Sequence, residues 1–159
     1  MLSAILFFSL IYSAALAQQE KQTARMPVKT AAESTETTSG VQKIETKANS
    51  LGLTVTRAIF ARGIDENKQP VDPGTEFAGD GNRVYCITQI QGAKQPVTIE
   101  HRWYKDGVLV LSVELPIKSL NWRTQSYKTI PSTMAGNWKV DVVLIPGEEV
   151  LASLNFKVK

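Results

Sequence analysis

Apolar and polar residues alternate with a period of two from Leu51 to the end of the chain, which is typical of half-buried β-strands. The alternation predicts strands over residues 53–61, 83–91, 97–105, 108–115, 122–130, 138–145 and 150–158. Turn-forming residues separate these segments, among them the hairpin signal Asp106-Gly107 and a long loop over residues 63–82. The pattern therefore predicts an all-β domain of about seven short strands.

Strand alternation also separates core-facing from outward-facing side chains, because successive residues point to opposite faces of a sheet. His101 and Trp103 share the apolar face of the third predicted strand, and Trp138 and Phe156 lie on the apolar faces of the last two strands. We expect these four residues to be core anchors. Trp103 occupies the position of the buried tryptophan on strand C of immunoglobulin domains. The predicted architecture is an immunoglobulin-like antiparallel β-sandwich, with a small barrel as the alternative.

The N-terminal segment is apolar and is predicted to lie outside the folded domain. The run from Leu2 to Leu16 has about 15 residues, fewer than the roughly 20 that span a bilayer. Small residues at Ala15 and Ala17 form a signal-peptide cleavage pattern. We therefore predict a signal peptide over residues 1–17, no transmembrane segment in the mature chain, and a periplasmic or extracellular location after cleavage. An uncleaved N-terminal anchor is the alternative.

The segment that follows, residues 18–50, is rich in Thr, Ser, Glu, Gln, Lys and Ala and contains no aromatic residue. Such a segment buries too little apolar area to offset the entropy of ordering its backbone. We predict a disordered polar linker here, with a transient helix over residues 30–47 as the alternative. The β-sandwich domain is then predicted over residues 51–159.

The charge distribution of the chain argues against nucleic acid as a partner. Its 18 basic and 15 acidic residues give a net charge of +3, and the cations are spread along the sequence. Phosphate binding requires clustered cations, which form a stripe or patch in nucleic-acid-binding proteins. The net charge is therefore explained by a solvated surface of mixed charge.

Metal and cofactor binding are also not expected. The chain has one histidine, His101, and one cysteine, Cys86, so it lacks the set of ligands that a zinc site needs. Calcium binding by carboxylates of the loop over residues 63–82 stays open at this point. Cys86 lies in the middle of an apolar strand and is predicted to be a buried free thiol, with intermolecular pairing as the alternative.

Four sequence motifs in the second half of the chain carry a family resemblance. They read H-R-W-Y-x-x-G (101–107), W-R-T-x-S (122–126), G-x-W-x-V (136–140) and G-x-x-x-L-x-x-x-x-F-x-V (147–158). With these motifs the chain resembles the bacterial domain-of-unknown-function family 2914 from about Ser50 to Lys159. The resemblance implies a small β domain of exported or membrane-linked bacterial proteins, and it implies no particular activity.

Nucleophilic catalysis needs a serine or cysteine beside a base that a third group orients. Ser126 and His101 both lie in the motifs, but His101 falls on the predicted core face. A buried histidine that is hydrogen-bonded to Ser126 or to a backbone carbonyl fits this position better than a catalytic one. We therefore predict that the protein is not an enzyme and has no catalytic or cofactor-binding residues.

Recognition of a partner is the function that remains. Arg102 and Tyr104 are predicted to face outward, and Trp122 and Arg123 follow in the next motif. Arginine and large aromatic residues are frequent at binding hot spots, so we expect these four residues to form a ligand or partner surface. The competing structural interpretation is that the two arginines pair with carboxylates across strands.

The leading functional hypothesis is an exported, non-enzymatic interaction or envelope-assembly module whose partner is a protein or glycan of the cell envelope. The alternative is a carbohydrate-binding module that uses exposed aromatic and arginine side chains.

Overall fold

The computed structural model of the protein describes residue 44, residues 49–145 and residues 147–159. The predicted signal peptide over residues 1–17 lies outside the described residues, and so does the predicted linker over residues 18–50, apart from Ile44, Asn49 and Ser50. Ile44 lies partly buried against the core. In this described part of the chain, no helix is long and apolar enough to cross a membrane.

The described residues contain nine β-strands and one short 3₁₀ turn, Ser132–Met134. The strands are β1 (Thr54–Ile64), β2 (Pro70–Pro73), β3 (Glu76–Phe77), β4 (Arg83–Gln91), β5 (Val97–Lys105), β6 (Val108–Ile117), β7 (Asn121–Thr129), β8 (Gly136–Ile145) and β9 (Glu149–Val158).

The strands form two sheets, which pack face to face. The first sheet has the order β2-β1-β4-β7, and the second has the order β3-β9-β8-β5-β6. Neighbouring strands are antiparallel, except that β3 and β9 are parallel. Strands β1, β4 and β7 take the places of strands A, B and E of an immunoglobulin sandwich, and β9, β8, β5 and β6 take those of G, F, C and C′. The predicted all-β, immunoglobulin-like sandwich is confirmed.

Two of the nine strands lie in the segment over residues 63–82 that the sequence pattern assigned to a loop. Strand β2 contains two prolines, which cannot donate a backbone hydrogen bond, and β3 has only two residues. Strands β2 and β3 form because they pair with β1 and β9, and neither shows an alternation of apolar and polar residues. Strand β3 continues a backbone ladder along β9, in which the Lys157 N–H donates to the Thr75 carbonyl at 2.8 Å and the Lys159 N–H to the Phe77 carbonyl at 2.9 Å.

The core between the sheets is built around Phe156. Its ring lies 4.6 Å from the ring of Phe60, 5.6 Å from that of Trp138 and 6.1 Å from that of Trp103, measured between centroids. Trp103, Trp138 and Phe156 are all buried, as is His101. The four residues expected to be core anchors therefore lie in the core, on three different strands of the second sheet.

Cys86 is a free cysteine and is fully buried, as predicted. Its thiol lies on β4 among the core residues between the sheets. Burial disfavours the charged thiolate, so it raises the pKa of Cys86 well above the usual range. The thiol is therefore a small apolar core group and not a reactive nucleophile.

Candidate recognition site

A buried polar network joins the two sheets at the centre of the core. His101 on β5 lies between two hydroxyl groups of the first sheet: its Nδ1 is 2.8 Å from Ser126 Oγ on β7, and its Nε2 is 3.2 Å from Thr88 Oγ1 on β4. The indole N–H of Trp103 donates to the same Ser126 oxygen at 2.9 Å. These four side chains are at most 4% exposed. Ser126 and His101, the two residues that were weighed for nucleophilic catalysis, are thus paired with each other inside the core.

The His101 and Ser126 pair has the residue types and the distance of a nucleophile and its base, but not their setting. A catalytic serine must meet its substrate, whereas Ser126 is 4% exposed and His101 is 0% exposed. Burial disfavours the imidazolium and lowers the pKa of His101 to about 3. The imidazole is therefore neutral at physiological pH, with one ring nitrogen donating and the other accepting a hydrogen bond.

Arg102 lies on the outer face of the second sheet, where it is held by two carboxylates. Its Nε donates to Glu100 on the same strand, and its two terminal nitrogens donate to both oxygens of Glu148 at 3.0 and 3.3 Å. Glu148, in the turn before β9, and Glu100 hold the guanidinium and raise the pKa of Arg102. The three bonds use three of the five guanidinium N–H groups, and the two carboxylates compensate the Arg102 charge, so a ligand would have to compete with them.

Tyr104 belongs to a second network on the same outer face. The Lys139 ammonium lies 4.4 Å from the centre of the Tyr104 ring and 2.7 Å from an oxygen of Asp141. Ser153 donates to the other Asp141 oxygen at 2.7 Å. The Lys139 charge is thus neutralised by Asp141, as the Arg102 charge is by Glu100 and Glu148.

The four residues expected to form one surface are not brought together. Arg102 and Tyr104 lie on β5 in the second sheet, whereas Trp122 and Arg123 lie on β7 in the first sheet. Trp122 packs against the core, so its neighbour Arg123 faces the opposite side of its strand. The expectation of a single surface rested on two motifs that are close in sequence, but β7 pairs with β4 and not with β5.

Trp122 and Arg123 instead line a groove with residues from two other segments. We call it the Trp122 groove; it has a volume of about 440 Å³. Its lining includes Lys68, Pro116, Lys118, Trp122, Arg123 and Gln125. Among the described residues, the lining contains three cations and no carboxylate. None of the three cations forms an ion pair or a side-chain hydrogen bond with another described residue.

The Trp122 side chain is half-buried and packs against the core cluster, so its ring is held in place. Arg123 is also half-buried and lines a small recess beside Ile59 and Ile87 on the outer side of the first sheet. Lys68 and Lys118 are exposed, at the β1–β2 turn and just after β6. The groove therefore combines a half-buried aromatic ring that packs on the core, a half-buried guanidinium and two exposed ammonium groups.

A larger cleft of about 710 Å³ lies at another part of the surface and has balanced charges. It is lined by Arg62, Arg83, Asp72, Asp80 and Tyr85, among others. Arg62 forms an ion pair with Asp80 at 3.2 Å. Because its two arginines are matched by two aspartates, this cleft attracts anions less than the Trp122 groove does.

No group of three or more His, Cys, Asp or Glu side chains is placed to hold a metal ion among the residues that the structure describes. This includes the carboxylates between β1 and β4, for which calcium was left open by the sequence.

The family model described as Protein of unknown function (DUF2914) matches residues 96–158. The chain resembles that family. The resemblance inferred from the motifs is thereby confirmed, over a range that begins at β5 and so is shorter than the one expected from Ser50. The motifs over residues 101–107 and 122–126 lie within the matched residues, and so do all the named groove residues except Lys68. No match is found among curated proteins.

Several residues of these sites were not anticipated from the sequence, among them Lys68 and Lys118 in the groove and Glu148 as the partner of Arg102. Lys68 and Lys118 lie in turns, where no alternation assigns a direction to a side chain. Glu148 reaches Arg102 across 46 positions of the sequence. The sequence signal for these three residues was their charge, which did not indicate where in the fold they meet.

Proposed function

We propose that this protein is a non-enzymatic recognition module and that the Trp122 groove is its binding site. One observation carries the proposal: three cations that have no ion pair or side-chain hydrogen bond with another described residue line one groove, together with a tryptophan that packs against the core. A cation without an internal partner can pair with a ligand without first breaking a bond in the protein. Arg102, in contrast, would have to leave Glu100 and Glu148.

The absence of catalysis is part of the proposal, and it is supported by the use that the core makes of Ser126 and His101. Both are buried and hydrogen-bonded across the sheets, where they stabilise the fold. A substrate would have to open the sandwich to reach them.

We further propose that the module is exported and acts at the cell envelope, as an interaction or assembly module that binds a protein or glycan there. Support for this location comes from the apolar run ending in Ala15-Leu16-Ala17, a pattern that precedes signal-peptide cleavage. Carbohydrate binding is the candidate that the groove favours, because a fixed tryptophan beside polar side chains is the kind of lining that small-molecule sites use.

The test is binding of the full-length protein to isolated cell envelopes, measured by co-sedimentation. We would compare the wild type with Trp122→Leu, which removes the flat ring but keeps apolar volume, with Arg123→Gln, and with Arg102→Gln as the matched control. Both groove variants should lose about tenfold or more in envelope affinity, the effect of losing one charge-assisted bond or one stacked ring, while Arg102→Gln binds normally. Melting temperatures must match for the comparison to count. Wild-type affinity in both groove variants would contradict the proposal.

A further inference from the structure

The chemistry of the Trp122 groove indicates what class of ligand it takes. Its volume of about 440 Å³ is within the range of small-molecule sites, roughly 300 to 1,000 Å³. A protein partner would instead need a face of about 800 Å² on each side, which a groove of this size does not supply by itself. A groove of this size fits a small ligand or a short segment of a polymer.

The three cations favour an anionic ligand. Among the described lining residues, Lys68, Lys118 and Arg123 have no carboxylate beside them, so the groove attracts negative charge. They come from three separate segments of the chain, the β1–β2 turn, the β6–β7 turn and β7 itself. A ligand with one charge on each of several units can meet such a set better than a ligand with one compact charge.

The remaining lining requires a flat apolar surface and hydroxyl groups on the ligand. The Trp122 ring and Pro116 provide apolar area, while Gln125 and the neighbouring Thr124 provide donors and acceptors. A pyranose ring has one face of C–H groups and a rim of hydroxyls, and a uronic acid adds a carboxylate to each ring. The forked guanidinium of Arg123 matches a carboxylate in geometry as well as charge.

From these features we infer that the Trp122 groove binds an acidic oligosaccharide whose sugar rings carry carboxylates. One ring lies on Trp122, its carboxylate pairs with Arg123, and the ammonium groups of Lys118 and Lys68 meet the carboxylates of adjoining rings. The inference rests on the proposed recognition function and adds the chemical class of the ligand.

The experiment is a calorimetric titration of the full-length protein with trigalacturonate. Maltotriose, a neutral trisaccharide, tests the need for charge; triglutamate tests charge without sugar rings; a thymidine dinucleotide tests stacking with phosphate. We expect trigalacturonate to bind, with an affinity that falls as salt is raised, and the other three to bind at least about tenfold more weakly.

Four variants assign the contacts. Trp122→Leu and Arg123→Gln should each weaken trigalacturonate binding about tenfold or more, and Lys118→Gln by a smaller factor. Lys157→Gln removes an exposed cation on β9, outside the groove, and should leave the affinity unchanged. Because Trp122 contacts the core, its variant is used to judge binding only if it keeps the wild-type melting temperature. If it does not, the affinity of Arg123→Gln, whose side chain lies on the outer side of the strand, decides whether the groove binds trigalacturonate.

The outcomes separate this inference from the proposed function. Equal or tighter binding of triglutamate or of the dinucleotide, with loss in Arg123→Gln, would overturn the acidic saccharide and leave the groove as a recognition site. Binding of trigalacturonate that is as strong in the groove variants as in the wild type would also overturn the inference, by placing the sugar elsewhere. If no probe binds but envelope affinity still depends on Trp122 and Arg123, the ligand class is wrong and the function stands.

Discussion

The side-chain oxygen of Ser126, on β7, accepts a hydrogen bond from the indole N–H of Trp103, on β5, at 2.9 Å. The bond crosses from one sheet to the other between two buried residues. The same oxygen lies 2.8 Å from His101 Nδ1, so one small side chain satisfies two buried polar groups. Such groups are costly when left unpaired, and this gives Ser126 a role in stability that its size does not indicate.

We therefore predict that Ser126→Ala destabilises the domain by about 2 kcal/mol or more, since it leaves both Trp103 Nε1 and His101 Nδ1 without their partner. The free energy of unfolding is measured by urea titration. Ser112→Ala, on the exposed face of β6, is the control and should change stability by less than about 0.5 kcal/mol. Equal stability of the two variants would mean that the network contributes nothing.

The burial of His101 predicts that stability depends on pH in a particular window. Burial lowers its pKa in the folded protein to about 3, while the unfolded chain titrates near 6.5. The unfolded state therefore binds the additional proton as the pH falls, so the stabilisation is complete above about pH 6.5 and is lost progressively from there towards pH 3. Between pH 7 and pH 5 we expect a loss of about 2 kcal/mol in the free energy of unfolding.

His101 is the only histidine of the chain. Interactions in the folded protein lower the pKa values of carboxylates such as Glu148 and Asp106, so these groups titrate below the range from pH 5 to pH 7. Glu148 owes its lowered pKa to a hydrogen bond from Arg102, and Asp106 to one from Lys105. The variant His101→Asn, compared at pH 7 and pH 5, should show a nearly flat profile. A wild-type slope in that variant would rule out His101 as its origin.

Trp103 and Trp138 are predicted to contribute most to core packing, together with Phe156. Each Trp→Ala change leaves a cavity next to the Phe156 ring and should cost on the order of 3 to 5 kcal/mol, a large fraction of the stability of a domain of this size. Thermal unfolding followed by calorimetry measures the effect. Trp122→Ala, at a half-buried position, should cost less; a reversed order would contradict the assignment of the core.

Cys86 is predicted to react with thiol reagents only when the domain opens. Its side chain is fully buried and its raised pKa keeps the thiol protonated. Labelling by a maleimide under native conditions should therefore be slow and should accelerate sharply in urea. A Ser112→Cys variant supplies an exposed thiol in the same chain as an internal standard. Native-state labelling of Cys86 at the rate of that standard, or a disulfide-linked dimer, would be inconsistent with this prediction.

The faces of the central strands were predictable from the sequence because strand alternation is local. His101 and Trp103 lie on the face that the alternation gave them, and Arg102 and Tyr104 lie on the other. Strands β2 and β3 were not predictable, since their pairing with β1 and β9 depends on the finished fold.

The difference between local alternation and strand pairing also explains why the four residues of the expected recognition surface lie on two different sheets. Its residues were identified by type, but their grouping depended on which strands become neighbours. Arg102 meets Glu148, which lies in the turn between β8 and β9 with a left-handed backbone, at φ 56°. Lys68 reaches the Trp122 groove from a turn of the same backbone handedness, at φ 60°. The alternation of apolar and polar residues predicts which way a side chain points only within a strand, so it gives no direction for residues in turns.

The parallel pairing of β3 with β9 has a mechanical consequence. The bonds from Lys157 to Thr75 and from Lys159 to Phe77 lie side by side along the last strand. Tension applied through Lys159 pulls β9 lengthwise along β3, so these bonds resist the load together instead of opening one after another. We expect the C-terminal end to withstand pulling better than its length indicates, and Phe77→Pro, whose variant ring disturbs β3, to lower the unfolding force in single-molecule stretching. An unchanged force would show that these two bonds do not carry the load. In that case the hydrogen bonds of β9 would break one after another when the C-terminal end is pulled.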